Sequence, residues 1–516
     1  MPTPAISRRT FLSAAAASAV AAAVAAPTSA AAAEDADVVV VGSGYAGSVA
    51  ALRLSQAGVS SLVLERGRRW EITGSGDTFC TGDQPDGRAL WLSSSSPVLE
   101  GTVPRYTGVL QAVAGAGIVC LAGAGVGGGS LVNNAVMMQP EEADFRRAFG
   151  ERLPYADMAG TWYPRARALI GASPIPDDVL ASAAYANARQ TESELTAAGI
   201  EAVRPDIAVD WSVVRQEIAG TAPSSLIDGQ CIFGVNSGAK LSVDRTILAQ
   251  AERTGRTTVR ELSSVAALHK TATGFQITVQ ELDTSGATVR EYIVNARKVI
   301  LAAGSLNTTR LLLRARSEGT IPQLSSAIGT GWGTGGDGMV LFGGLPNPQP
   351  AVGGPAHIVG RYRAASGLPV SLLNFPLGVS LVDAVVRESL AVGHVPPVGR
   401  LIRSFSGGIV PVWNQLDPGV LAARQAMYEM VDRIDAAVPD RSAWLTTQLM
   451  TSHSLGGVVL SDLTDHAGQV KGVSGLFVMD SSLIPGSTGG VPPALTITAL
   501  ADRCVTTALE QGVLGR

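Results

Sequence analysis

The stretch that decides the fold is residues 35–67, which read DADVVVVGSGYAGSVAALRLSQAGVSSLVLERG. Residues 38–41 are a continuous run of valine, which predicts a buried parallel strand. Residues 48–57 have the periodicity of a helix, and Gly58 follows as a candidate C-terminal cap. Residues 61–64 predict a second buried strand. The order strand, helix, strand predicts an α/β fold with a parallel sheet.

Three glycines, Gly42, Gly44 and Gly47, separate the first strand from the helix in the pattern G-x-G-x-x-G. The first permits a tight turn, the second lets a pyrophosphate approach the backbone, and the third lets helix and strand pack closely. The N-terminus of the helix would then face the phosphates with its partial positive charge. Glu65 follows the second strand at the spacing of an acid that binds a ribose hydroxyl. The unit predicts a Rossmann-like dinucleotide-binding domain, and by itself it does not distinguish NAD from FAD.

The composition is that of a large globular protein. The chain has 516 residues, of which 46% are hydrophobic and 16% charged, and this length suggests about two to three domains. Its 59 glycines exceed the usual share, which suits a backbone that turns sharply or approaches a ligand. The formal net charge of −4 provides no basic surface for nucleic acid, so we expect no nucleic-acid partner.

The first 33 residues predict an export signal rather than part of the fold. Arg8 and Arg9 precede an apolar, alanine-rich run over residues 11–26, and small residues near Ala33 suit cleavage. This run is too short and too weakly apolar to span a membrane permanently. We therefore expect twin-arginine export, a secreted protein and at most transient contact with a membrane surface.

The four cysteines, Cys80, Cys120, Cys231 and Cys504, are scattered and lack the spacing of metal ligands. We expect buried thiols, no metal site and no essential disulfide. A protein that folds before export would fold under reducing conditions, which agrees with this expectation.

Three later segments extend the α/β pattern. Residues 121–137, LAGAGVGGGSLVNNAVM, combine glycines with apolar residues, so this backbone can be pressed against a ligand. Residues 299–302 predict a strand followed by a glycine turn and a helix from near residue 307. Residues 476–479 predict another strand, then Asp480 and a final helix from near residue 494. An acid at that position can accept a hydrogen bond from a hydroxyl of a bound cofactor.

These segments together resemble the glucose-methanol-choline (GMC) family of FAD-dependent oxidoreductases, and within it the bacterial cholesterol oxidases. The motifs that carry the resemblance include GAGVGGGSLVNNAV, LAAGSLNTTRLLLRARSEGTIPQL, GTGWGTGGDGM, HSLGGVVL and VMDSSLIPGSTGG. They cover nearly the whole chain after the export signal. The resemblance implies non-covalently bound FAD and the oxidation of an alcohol.

The resemblance also implies which residues bind FAD. The glycines Gly42, Gly44 and Gly47 would hold the pyrophosphate, Glu65 the adenosine ribose, and Asp480 the ribityl chain. The other residues implied to contact FAD are Tyr45, Ala46, Gly125, Gly129, Ser130, Asn133, Val136, Val265, Gly304 and Ser481, with Gly129, Asn133 and Val136 beside the flavin and Val265 beside the adenine.

The domain organisation implied by the resemblance is discontinuous. A Rossmann-like FAD-binding domain would comprise residues 34–135, 238–315 and 467–516. An α+β substrate-binding domain, built on a mixed or antiparallel sheet, would comprise residues 136–237 and 316–466.

Two further patterns bear on these domains. Residues 272–295 alternate in polarity around a turn at residues 284–286, which predicts a β-hairpin. Residues 376–411 are unusually apolar for an exported protein, which suits ordinary core, the wall of an apolar cavity or a lipid-facing lid.

His453, in the motif HSLGG, is the candidate catalytic residue. In the resembled oxidases this histidine stands over the reactive edge of the flavin and handles the proton of the substrate hydroxyl. A neutral imidazole is suited to accept that proton near neutral pH, and oxidised flavin accepts the hydride. His269, His357, His394 and His466 lack such a context, and we expect them to be structural or exposed.

Two positions depart from the cholesterol oxidases. Those enzymes carry an asparagine before the last helix, where this chain has Val491 and Pro492 in a loop one residue longer. They also carry a glutamate that moves a proton during double-bond isomerisation, and its position here is Leu373. Neither proline nor leucine can donate or shuttle a proton through its side chain. Isomerisation is therefore not expected.

Three functions remain open from the sequence. The first is an FAD-dependent oxidase of steroid metabolism that acts on a bulky apolar, sterol-like alcohol, with oxygen reoxidising the flavin. The second is a flavoenzyme of specialised metabolism for a polyketide- or terpenoid-like substrate, with another electron acceptor or no net redox change. The third is a retired enzyme that binds lipid and keeps FAD as a structural element. We expect a monomer; the sequence leaves open the substrate, the electron acceptor and the effect of the two lost partners.

Overall fold

The computed structural model describes residues 33–96, 101–343, 353–374, 376–383, 386–438, 442–445 and 449–515. Apart from Ala33, the predicted export signal lies outside the described residues. Within these ranges no helix is both long and apolar enough to cross a membrane.

The strands, in chain order, are β1 Glu34–Val41, β2 Ser61–Leu64, β3 Leu110–Ala114, β4 Val119–Gly123, β5 Glu201–Val203, β6 Thr257–Arg260, β7 Ser263–Lys270, β8 Phe275–Leu282, β9 Thr288–Leu301, β10 Asp337–Gly343, β11 Val359–Arg363, β12 Pro369–Asn374, β13 Arg387–Gly393, β14 Arg400–Arg403, β15 Ile409–Val412, β16 Ser442–Leu445, β17 Met450–Thr451 and β18 Leu476–Val478.

The α-helices are α1 Tyr45–Gln56, α2 Glu142–Phe149, α3 Tyr155–Asp157, α4 Tyr163–Ile170, α5 Asp177–Ala181, α6 Ala186–Ala197, α7 Trp211–Ile218, α8 Ile247–Arg253, α9 Gly304–Ser317, α10 Ser380–Asp383, α11 Pro418–Ala437 and α12 Ala494–Glu510. A short 3₁₀ helix, Gly128–Leu131, lies in the second glycine-rich stretch, and a π-helical segment, Met158–Trp162, precedes α4.

The first sheet has the strand order β6-β2-β1-β9-β8-β7, and β18 pairs with β9 outside this path. The pairs among β1, β2, β6, β9 and β18 are parallel, whereas β7, β8 and β9 pair antiparallel. The carboxyl ends of the parallel strands therefore meet at one edge of the sheet. Ligands of such α/β sheets bind outside that edge.

The valine run forms the buried part of β1, and α1 lies against it. Val38 to Val41 are at most 4% exposed, as expected for a strand covered on both faces. A Cβ atom at Gly47 would lie 2.0 Å from the carbonyl oxygen of Gly42, so only glycine lets helix and strand approach this closely. The predicted order strand, helix, strand is confirmed, although α1 begins at Tyr45, three residues before the predicted start.

The predicted hairpin is also present. Strands β8 and β9 are antiparallel, and the carboxylate of Asp283 holds the turn by accepting hydrogen bonds from the amides of Ser285 and Ala287 at 2.8 and 3.0 Å. A short polar side chain that bonds to backbone amides two and four residues ahead fixes such turns.

The second sheet is antiparallel throughout, with the order β16-β10-β13-β12-β11-β5. Helices α6 and α11 cover one of its faces. A Cβ atom at Gly360 would lie 2.6 Å from a methyl of Leu195 in α6, and one at Gly393 would lie 2.8 Å from the terminal methyl of Met427 in α11. The opposite face remains for the site.

The two sheets divide the chain in the predicted order. Every strand of the first sheet falls within residues 34–135, 238–315 and 467–516, and every strand of the second within 136–237 and 316–466. The boundaries between the domains stay a prediction. A small third sheet, β17-β4-β3, joins the two parts of the chain.

All four cysteines are buried free thiols, as the sequence predicts. Burial raises the pKa of Cys120 and that of Cys504 to about 12. A thiol that stays protonated is a poor nucleophile and a poor metal ligand.

Candidate active site

A cavity opens at the carboxyl edge of the first sheet, beside β4 and the start of α9. It holds about 1110 Å³ of space outside protein atoms, including its open mouth. Ten of the residues predicted to bind FAD line it: Gly42, Gly44, Tyr45, Ala46, Glu65, Gly129, Val265, Gly304, Asp480 and Ser481. Segments far apart in sequence are thus brought to one site.

The two glycine-rich loops form the floor of this cavity and touch each other. A Cβ atom at Gly128 would lie 2.9 Å from the Cα of Gly44. Gly42 has a φ of +98°, and a Cβ atom there would lie 2.5 Å from the carbonyl oxygen of Ala302. At Gly129, in contrast, a Cβ atom would meet nothing within 4 Å. A side chain there would project into the cavity, so this backbone suits close approach of a large cofactor.

Glu65 lies at the cavity edge with its carboxylate already partly bound. One oxygen accepts hydrogen bonds from the amide and hydroxyl of Ser43 at 3.1 and 2.7 Å, and the other from the amide of Gly67 at 2.9 Å. A carboxylate offers about four acceptor positions. One position therefore remains for a ribose hydroxyl, which is compatible with the predicted role.

Asp480 is more completely bound by the protein than the sequence suggests. It accepts hydrogen bonds from the amide of Gly304 at 2.8 Å, the hydroxyl of Thr308 at 2.5 Å, and both the amide and hydroxyl of Ser482. Burial raises the pKa of this carboxyl. The hydrogen bonds of Asp480 connect the start of α9 to the end of β18. Contact with the ribityl chain stays a prediction, since such a hydroxyl would have to share an acceptor position.

Three predicted residues lie behind the cavity wall rather than on it. Gly47 packs α1 against β1, as described above. Ser130 donates a hydrogen bond to the carbonyl oxygen of Gly127 at 2.7 Å and accepts one from the amide of Val243 at 3.0 Å. Gly125, with a φ of +152°, turns the chain under the indole of Trp70. These three residues support the wall, and their predicted contact with FAD stays a prediction.

Asn133 and Val136 also lie outside the cavity lining. The amide nitrogen of Asn133 donates to the hydroxyl of Tyr45 at 2.9 Å, which links the two glycine-rich loops. Val136 is 3% exposed and forms a β-bridge with Ile207. Their predicted positions beside the flavin stay predictions.

A buried lysine, Lys240, supports the second glycine-rich loop and was missed by the sequence analysis. Its ammonium donates to the carbonyl oxygens of Leu131 and Asn133 at 3.0 and 2.5 Å. Burial lowers the pKa of this lysine. No local motif marks it, because its acceptors lie more than a hundred residues earlier in the chain.

His453 follows β17 and is bound to a buried acid on the second sheet. Its Nδ1 lies 2.6 Å from an Oδ1 of Asp337, the first residue of β10. The histidine side chain is 15% exposed and the aspartate 3%. The second oxygen of Asp337 accepts from the hydroxyl of Thr451 at 3.0 Å and the amide of Ser452 at 2.9 Å.

This arrangement fixes the role of each imidazole nitrogen. A carboxylate can only accept, so Nδ1 carries a hydrogen toward Asp337, and Nε2 of the neutral ring keeps its lone pair. Gly335 makes the contact possible, because a Cβ atom there would lie 2.5 Å from the Cβ of His453. The histidine is thus held as an oriented acceptor of protons. Its neighbours Ser452 and Ser454 line the cavity, whereas His453 itself is not among the lining residues.

Asp337 is a candidate site residue that the sequence alone did not single out. It is the only acid in the motif GTGWGTGGDGM, which had already contributed to the resemblance. That isolated charge among glycines was the available signal. It could not be assigned to His453 because 116 residues separate the two.

The sheet face that carries Asp337 is apolar and incompletely covered. Met339, Leu341 and Leu390 share this face, since opposite residues of an antiparallel pair point to the same side. All three are half-buried. On the other face of the same strands, Val340 and Ala391 are 0% and 1% exposed. Apolar surface is therefore accessible next to the histidine–aspartate pair.

The two positions that depart from cholesterol oxidases are both buried. Leu373 lies on the same face as Leu390, its partner across β12 and β13, and is 1% exposed. Pro492 is buried in the loop before α12, where the hydroxyl of Thr488 donates to the carbonyl oxygen of Val491. Neither residue offers a side chain that titrates.

Comparison with known families identifies the class of protein. Residues 36–317 match the N-terminal model of GMC oxidoreductases, and residues 409–501 match the C-terminal model. The chain belongs to the GMC oxidoreductase family.

Several relatives match along most of the chain. A cholesterol oxidase of Acinetobacter baumannii is 22% identical over 91% of this chain and 94% of its own length. A cholesterol oxidase of Mycobacterium tuberculosis is 25% identical over 93% and 92%, respectively. A long-chain-alcohol oxidase of Arabidopsis thaliana is 24% identical over 90% of this chain and 66% of its own length.

Among solved structures, pyridoxine 4-oxidase from Mesorbium loti superimposes with a TM-score of 0.64 at 16% identity, covering 92% of this chain and 99% of that one. This likeness confirms the predicted fold: a Rossmann-like FAD-binding domain with an α+β substrate domain.

The protein is therefore an FAD-dependent oxidoreductase that acts on the CH–OH group of a small molecule. The cavity fits this cofactor, because glycines form its floor and Glu65 and Asp480 lie along it. Bound FAD supplies the acceptor for the hydride that leaves the alcohol carbon.

Proposed function

We propose that the protein oxidises the hydroxyl group of a bulky, apolar, sterol-like alcohol, with His453 as the proton acceptor. The observation that carries this proposal is the 2.6 Å contact between Nδ1 of His453 and Asp337, next to Ser452 and Ser454, which line the cofactor cavity. The half-buried side chains of Met339, Leu341 and Leu390 beside that pair support an apolar substrate.

Oxidation of an alcohol removes a proton from oxygen and a hydride from carbon, and the product is a carbonyl. In the proposed reaction the lone pair on Nε2 of His453 takes the hydroxyl proton. Asp337 holds the ring in that tautomer and stabilises the imidazolium that forms. FAD, when bound, would supply the acceptor for the hydride, and oxygen is the proposed final acceptor of the electrons.

We further propose that the reaction is not coupled to double-bond isomerisation. Isomerisation requires a group that moves a proton between two carbon atoms. The side chain of Leu373 cannot move a proton. Neither Pro492 nor Val491 has a side chain that forms hydrogen bonds. A sterol product would keep its double bond in the original position.

The proposed location of the protein, outside the cell, depends on residues that lie outside the described structure. The arginine pair at residues 8 and 9 and the apolar run behind it support twin-arginine export and a secreted enzyme. Changing both arginines to lysine should retain the precursor inside the cell, and unchanged export would contradict this part of the proposal.

Anaerobic titration tests the substrate. The holoenzyme would be mixed without oxygen with sterols, long-chain primary alcohols and, as a polar control, glucose, while the long-wavelength flavin absorbance is followed. We expect an apolar alcohol to bleach the flavin and glucose to leave it oxidised. If no alcohol bleaches a flavin that dithionite does reduce, the proposal fails, and a non-redox or lipid-binding role is favoured. An isomerised enone formed at the rate of oxidation would contradict the role given to Leu373.

A further inference from the structure

Two arginines line the cofactor cavity and take no part in the proposed reaction. Arg66 follows Glu65 at the end of β2, and Arg310 lies on α9; both line the same cavity as Glu65. Both side chains are half-buried. Burial, together with the nearby charge of Arg310, lowers the pKa of Arg66 to about 10. The two cations therefore lie close together at the end of the cavity marked by Glu65.

The guanidinium group of Arg66 is held by contacts with Gln111 and Trp91. Its Nη2 donates to the side-chain oxygen of Gln111 at 2.7 Å, and its guanidinium carbon lies 4.9 Å from the ring centroid of Trp91. A guanidinium is planar and stacks on aromatic rings. With the plane braced by Trp91 and bordering the cavity, Arg66 offers a flat surface to a planar ligand.

Arg310 differs because no carboxylate among the described residues forms an ion pair with it. Burial and the neighbouring charge of Arg314 lower the pKa of its guanidinium. A half-buried cation beside a second cation is unfavourable unless an anion enters the site. The site is thus preorganised for a ligand that carries both a planar ring and negative charge.

We propose that Arg66 and Arg310 bind the ADP portion of FAD, with Arg66 stacked on the adenine ring and Arg310 in contact with the diphosphate. Glu65, adjacent in sequence to Arg66, remains available to the ribose between these two groups. The inference rests on FAD as the cofactor and not on the identity of the alcohol.

Binding measurements test this arrangement without reference to activity. FAD would be removed reversibly from the holoenzyme with a chaotropic salt, and FAD, ADP and adenosine titrated back by calorimetry. We expect Arg310→Gln to weaken the binding of FAD and ADP roughly tenfold or more, and that of adenosine little, because a charged hydrogen bond is lost. Arg66→Gln should weaken all three ligands.

Arg316→Gln is the matched control, because it removes the same charge from an exposed position on the same helix. Arg310→Lys keeps the charge and should retain part of the preference for ADP over adenosine, which guards against a variant that only misfolds. The proposal is overturned if Arg310→Gln and Arg66→Gln bind FAD as tightly as the parent, or if Arg316→Gln weakens binding equally. Failure to oxidise any alcohol, with the expected binding losses intact, would contradict only the proposed substrate.

Discussion

At the scale of single residues, the proposed reaction depends on the contact between His453 and Asp337. The carboxylate lies 2.6 Å from Nδ1 and is itself held by Thr451 and Ser452, so it is positioned independently of the histidine. Partners of this kind hold an imidazole in one tautomer and one orientation.

Asp337→Asn should therefore slow flavin reduction by the alcohol roughly 10²- to 10⁴-fold, because an amide does not hold the imidazole in the tautomer that accepts a proton. The amide can still contact the ring, but it no longer stabilises the imidazolium. Stopped-flow reduction at several pH values would measure the effect, with FAD content and reduction by dithionite as controls. A variant with the rate and pH profile of the parent would show that Asp337 is only structural.

Single-residue predictions were possible where a motif was local. The sequence around His453 and the glycines at 42, 44 and 47 marks the site without any knowledge of the fold. Asp337 and Lys240 could not be assigned, because their partners lie far away in sequence and only the tertiary fold brings them together.

At the scale of elements, the strand β1, the helix α1 and the glycines between them form the unit that we propose binds the phosphates of FAD. Gly47 and Gly44 serve it differently. A Cβ at Gly47 would collide with backbone at 2.0 Å, whereas a Cβ at Gly44 would meet its first atom at 3.9 Å. The first glycine is required for packing, and the second leaves space at the cavity.

Gly44→Val should abolish FAD binding while the apoprotein stays folded, since its side chain would occupy the approach of the pyrophosphate. Gly47→Ala should instead destabilise the fold, because a packed backbone must move. Circular dichroism melting and FAD fluorescence separate the two outcomes. A yellow Gly44→Val protein with bound FAD would contradict the assignment of this loop.

A buried acid on β13, Glu388, should make the stability of the fold depend on pH. Burial, reinforced by the nearby Asp383, raises the pKa of Glu388 to about 9 from its ordinary value of 4.5. The folded protein therefore keeps a proton that the unfolded chain releases, so the stability contributed by this group falls as pH rises from about 4.5 to about 9.

Glu388→Gln should flatten this dependence, because the amide is neutral throughout. Urea unfolding of parent and variant at pH 5 and pH 9 would measure it, with the variant gaining relative stability at the higher pH. Equal pH dependence in both proteins would mean that Glu388 ionises freely in the fold.

Some helices and strands could be predicted from local sequence patterns, whereas the strands of the second sheet could not. Strands β1 and β2 and helix α12 follow from continuous apolar runs and helical periodicity, and the hairpin β8–β9 from alternation around a polar turn. The second sheet was expected only from the resemblance. Its strands come from dispersed segments, and β5 joins β11 across more than 150 residues, so local periodicity could not specify their order.

At the scale of the whole molecule, function arises where the two sheets meet. The first sheet presents the glycine-lined cavity at its carboxyl edge, and the second contributes Asp337 from the start of β10. The pairing of β17 with β4 carries His453 between them. The sequence predicts this division through the resemblance, yet the apolar face beside the histidine emerges only from the register of β10 and β13.

The most direct test of the central claim is the rate of flavin reduction in a His453→Ala variant, measured anaerobically by stopped-flow with the alcohol that reduces the parent enzyme fastest. A positioned base contributes typically about 10²–10⁴-fold to such a step. We expect the rate of flavin reduction in His453→Ala to fall by that factor, with full FAD content and an unchanged melting temperature. A variant that binds FAD and reduces it at the parent's rate would contradict the assignment of His453 as the proton acceptor.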